Sequence, residues 1–144
     1  MEVSKFIYKF ASVKIKYRIN NIQNTKIMNK KQLFILLALA TIATNNKDGF
    51  TVNASTLQPV TTGYAVAVEA TQKSFGLEGL ANVVKYVDEH PEINAFGGWY
   101  NSENKMYYFD ATIIVKDFKT AKELARANKQ LAFFDLANLQ EIRL

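Results

Sequence analysis

Asp110 and Asp135 are the residues of this chain whose setting could support chemistry. Each interrupts an apolar, strand-like run, Tyr108-Phe109-Asp110-Ala111 and Phe133-Phe134-Asp135-Leu136, where aspartate is disfavoured. Two carboxylates brought together could hold Mg²⁺ or divide acid and base roles in a hydrolase or nuclease. A single carboxylate in such a place is more often a buried acceptor for backbone N–H groups or a partner for Lys or Tyr. No partner base accompanies either aspartate, so no catalytic residue is assigned and no cofactor or metal is expected.

A second group is aromatic. Trp99, Tyr100, Tyr107 and Tyr108 flank the polar stretch Asn101-Ser102-Glu103-Asn104-Lys105, the pattern of a β-hairpin. Such rings could stack on bases or sugars, or pack across strands. Tyr107 is assigned to the core, whereas Trp99 and Tyr108 are kept as surface aromatics. With Asp110 they form a candidate binding face. Gln72 and Ser74 extend it: they lie in Thr71-Gln72-Lys73-Ser74-Phe75-Gly76, a polar loop before a helix, where Ser74 is also a capping candidate. Gly97-Gly98 reads as a place where a strand bulges or a helix approaches the sheet closely, because no phosphate-loop pattern surrounds it.

Composition narrows the function classes. The chain has 144 residues, 49% of them hydrophobic and 22% charged, as in an ordinary soluble domain. It lacks cysteine and has one histidine, His90, which excludes disulfides, thiolate metal sites and multi-histidine centres. The net charge of +5 is unevenly spread: residues 1–31 hold eight basic side chains and one acid, while residues 32–144 carry a net −2. Nonspecific phosphate contact is therefore confined to the 1–31 arm, and the body carries no comparable basic stripe. Met1–Ile27 is rich in Lys, Ile, Asn and Tyr and has no Gly or Pro. It reads as a basic extension or an upstream translated stretch, with Met28 as the natural start.

The elements that must position these residues follow from periodicity. Leu33–Ala43 is uncharged over eleven residues, too short to span a membrane. It reads as a core helix that stops at Thr44–Gly49, with a cleaved signal peptide over 28–43 as the exported alternative. Strands are expected at Phe50–Asn53 and Tyr64–Ala70. A helix with Leu77, Leu80, Ala81, Val84 and Val87 inward ends at His90-Pro91. The aromatic hairpin follows. Asp117 then caps a third helix with Phe118, Ala121, Leu124, Ala125 and Asn128 inward, and two short strands close the chain. The order α-β-β-α-β-β-α-β-β predicts one α+β domain over 28–144, a mostly antiparallel sheet of hairpins with helices on one face.

The segments Gly63-Tyr64-Ala65-Val66, Gly97-Gly98-Trp99, Tyr107-Tyr108-Phe109-Asp110 and Ala132-Phe133-Phe134-Asp135-Leu136 resemble a group of small proteins from bacteria, phages and conjugative elements of Bacteroides type. The resemblance spans residues 30–144 and brings no assigned activity. It implies an intracellular accessory protein of a mobile element, with Leu33–Ala43 as a domain helix. The expected function is a cytoplasmic binding module for a protein partner, with Trp99, Tyr108, Asp110, Gln72 and Ser74 at the contact surface.

Overall fold

The computed structural model describes residues 28–144, so the expected basic extension over 1–27 lies outside the described residues. The first helix is set by a reciprocal cap. Gln32 N–H donates to the Asn29 side chain at 2.8 Å, and Asn29 N–H donates to Gln32 Oε1 at 3.1 Å. The helix that follows, α1 (Lys30–Asn45), buries Leu36 and Leu39 completely. Gln32 also donates to Asp88 at 2.7 Å, tying α1 to the second helix. The apolar run is thus a working part of the core, and removing it by cleavage after Ala43 would strip Leu36, Leu39, Ala40 and Ala43 from the interior.

Two short strands, β1 (Phe50–Asn53) and β2 (Tyr64–Ala67), precede α2 (Gly76–Glu89). The hairpin is β3 (Ala95–Asn101) with β4 (Met106–Val115), followed by α3 (Phe118–Ala127), β5 (Ala132–Asp135) and β6 (Gln140–Arg143). The element order is the expected one. The six strands form one sheet in the order β1-β3-β4-β2-β5-β6, with every pairing antiparallel, so the β3–β4 hairpin lies between β1 and β2.

Antiparallel partners share a face, and the registers therefore sort the sheet residues. Val52, Phe96 and Ala111 lie in one row, as do Val66 and Ile113, and these point to the helices. One cluster joins α1 and α2 to Val52, Val68, Phe96, Phe109 and Ala111, and a smaller one seats Ala121 and Ala125 of α3 on Val66 and Phe133. Asn53, Ala67, Ala95, Asp110, Thr112 and Ile114 face the other way. Asp117 caps α3 as expected, its carboxylate accepting from Thr120 N–H at 2.8 Å.

Two details differ from the sequence reading. The second strand ends at Ala67 rather than Ala70, because the chain turns through a 3₁₀ segment, Glu69–Thr71. Phe118, expected inward, is 44% exposed and instead packs edge-on against Tyr64 and Phe133, with ring centroids 5.6 and 5.5 Å away. It sits at the first position of α3.

Candidate functional site

The hairpin register sets Trp99 opposite Tyr108 on the face away from the helices. Their rings lie 4.9 Å apart and nearly parallel, at 14°. On the other side of β4, Phe75 bridges to Tyr108, and those rings are 5.7 Å apart at 60°. Three neighbouring chain segments therefore carry a ladder, Trp99–Tyr108–Phe75. Trp99 and Phe75 are each 46% exposed, so the two ends of the ladder are open to solvent. Asn104 Nδ2 donates to the Tyr108 hydroxyl at 2.7 Å, while Asn104 Oδ1 accepts from Met106 N–H in the hairpin turn. One residue thus shapes the turn and fixes the central ring.

Asp110 lies two residues along from Tyr108, on the same face and opposite Gly97. A Cβ on Gly97 would sit 3.4 Å from both Asp110 carboxylate oxygens and 2.9 Å from Thr112 Oγ1. The glycine leaves the room that the carboxylate and hydroxyl occupy. Its neighbour Gly98 faces the helices, where a Cβ would collide with the Phe50 ring. The register runs unbroken through both glycines, and the space they leave is taken by side chains of neighbouring strands, not by a bulge or an approaching helix. Burial pushes the Asp110 carboxyl up to about 6, and the Thr112 hydroxyl beside it acts in the opposite sense.

The 71–76 loop is pinned between β4 and α2. Thr71 Oγ1 accepts from Ala111 N–H at 3.0 Å, and the Ser74 carbonyl accepts from Phe109 N–H at 2.8 Å. Gly79 admits the loop to α2, since a Cβ there would stand 2.5 Å from the Ser74 carbonyl carbon. The loop and the outer face of α2 enclose a cleft of about 480 Å³, lined by Gln72, Lys73, Ser74, Glu78, Asn82 and Tyr86 among others. Phe75 belongs to both the cleft and the ladder, so it joins the two expected site regions.

Ser74 does not cap α2. Phe75 occupies the N-cap position and no side chain caps this helix end, while Ser74 is buried against Gly79 with its carbonyl committed to β4. Gln72 is exposed at the cleft rim. Tyr107, assigned to the core, is only partly buried. Its ring stacks near Phe50 at 6.2 Å and its hydroxyl donates to the Asn46 carbonyl, and burial pushes its pKa up to about 12.

Asp135 is not a neighbour of Asp110. It pairs with Tyr64, which pairs with Val115, and this row faces the helices. Asp110 faces away, and β2 separates the two strands. Asp135 closes the β5–β6 turn instead, accepting from Asn138 N–H at 3.2 Å and Asn138 Nδ2 at 2.8 Å. Those hydrogen bonds, the Asn138 side chain's foremost, hold its carboxyl below the usual range. The two-carboxylate arrangement is not formed, and among the described residues no group of three His, Asp or Glu side chains could hold a metal ion.

Phe75 is the site residue that the sequence reading missed. Its signal was its place in an otherwise polar loop, where a large apolar side chain needs a packing partner. Among the described residues no helix is long and apolar enough to cross a membrane. In comparisons with known proteins, no family model, no curated protein and no solved structure matches this chain.

Proposed function

We propose that the protein is a binding module that captures a protein partner on the Trp99–Tyr108–Phe75 ladder, with Asp110 as its charged anchor. The observation that carries this reading is the ladder's exposure. Aromatic rings that served only cross-strand packing would gain from being covered, yet both ends stand about half open. A carboxylate on the same face suits a partner that lays an apolar or planar side chain on the rings and a Lys or Arg near Asp110. The cleft beside Phe75 adds polar groups of both signs, Lys73 and Glu78, at the end of the ladder. The incorporation of α1 into the core supports a site of action inside the cell, because the segment with signal-like composition is also a structural element.

The test is affinity capture from native cells with the full chain and with Trp99→Ala and Phe75→Ala. Both variants should keep the wild-type far-UV circular dichroism and lose the specific partner. Capture should also weaken as pH falls below about 6, where Asp110 takes up its proton. Folded variants that retain the partner would remove the ladder from the contact surface.

A further inference from the structure

Among the described residues the last strand leaves an open sheet edge, and its chemistry selects one occupant. β6 is the terminal strand of the sheet order and pairs only through its β5 side among the described residues. Leu144 N–H donates to the Leu131 carbonyl at 3.1 Å, and pairs alternate between bonded and non-bonded along an antiparallel ladder. Gln140 and Ile142, opposite Asp135 and Phe133, therefore spend their backbone groups on β5. Glu141 and Arg143 aim theirs outward.

We infer that β6 pairs antiparallel with β6 of a second copy of this chain, about a two-fold axis through Ile142. The outward N–H and C=O groups then meet their own kind: Glu141 of each copy pairs with Arg143 of the other, giving four backbone hydrogen bonds. A two-fold axis perpendicular to the sheet keeps both side chains on one face, at the spacing of about 5.5 Å between bonded partners. Acid therefore faces base at both positions. Shifting the register by two residues in one direction would set Glu141 against Glu141, and in the other Arg143 against Arg143. Charge complementarity thus picks a single register.

Two further observations agree. Within one copy Arg143 already approaches Glu141 at 3.0 Å, so both side chains lie along the same face of the exposed strand. Leu139 is 79% exposed and Leu144 is 43% exposed, one at each end of β6. In the register described, Leu144 falls opposite Gln140 of the second copy and beside its Leu139, which covers apolar surface at both ends of the contact. The product is a continuous sheet across both copies, formed as an isologous dimer.

Sedimentation velocity over a concentration series tests this with the full chain, Glu141→Arg, Arg143→Glu and the double exchange. The wild type and the double exchange should dimerise. Each single reversal should weaken self-association about tenfold or more, because it sets like charges opposite one another. An equimolar mixture of the two single variants should recover a dimer, since one copy then presents only arginine at these two positions and the other only glutamate. All four positions of β6 are exposed or half-exposed, and circular dichroism should show each variant folded. A wild type that stays monomeric throughout overturns the inference. Single variants that dimerise as well as wild type, or a mixture without heterodimer, overturn it equally.

Discussion

Replacing Asp110 by Asn should stabilise the protein at neutral pH and flatten its response to acid. Burial raises the Asp110 carboxyl from 3.8 to about 6. In the window between those values the native state holds a proton that the unfolded chain has released. Native stability therefore falls as pH rises from about 4 to about 6, and stays level above it. Two pKa units at 1.36 kcal/mol each set a ceiling of ~3 kcal/mol on this penalty. Asparagine has no proton to lose and keeps the shape, so Asp110→Asn should gain about 1–3 kcal/mol at pH 7 and nothing below about pH 4. Asp117 and Asp135 titrate in the opposite sense, their carboxyls being lowered mainly by hydrogen bonds from Thr120 and Asn138. Because wild type and variant both carry them, they cancel in the difference. Urea unfolding of the two proteins at a series of pH values measures it. A variant less stable at pH 7, or a difference that grows toward acid, would show that the carboxylate is satisfied as an ion and sink the reasoning.

Two other outcomes are expected. Leu39→Ala removes a fully buried side chain from the α1–α2 cluster and should lower stability by about 2–5 kcal/mol in urea unfolding. A change below about 1 kcal/mol would mean that α1 is not bound into the core. Gly79→Ala drives a methyl group into the Ser74 backbone and should destabilise by about 1–3 kcal/mol. It should also displace the 71–76 loop, seen as shifted amide resonances at Phe75 and Phe109. Unshifted resonances there would show that the loop does not depend on this approach.

The features legible in the sequence were those with local causes. The Asp117 cap and the proline after His90 each act over a few residues, and they bound helices where expected. Alternation along Met106–Val115 sorted the two faces of β4, so Tyr108 and Asp110 could be assigned to one side. What was not legible depended on partners distant in sequence. The Ala111 amide takes Thr71 Oγ1 as its acceptor, which ends β2 early, and nothing near Ala67 in the chain announces this. Ser74 looked like a cap because of its residue type, but its carbonyl is claimed by Phe109 from another strand. The separation of Asp110 from Asp135 follows from the strand order, which composition and spacing do not encode.

That strand order also bears on how the chain is made. β1 and β2 are separated by the hairpin that fills the space between them, so neither has its central neighbour until residues 95–115 have left the ribosome. Until then Leu36, Leu39 and the rest of the α1 apolar surface have no sheet to settle on. The nascent chain therefore carries this apolar surface without its sheet until the hairpin emerges. Early folding of this domain is thus confined to what α1 and α2 can bury against each other.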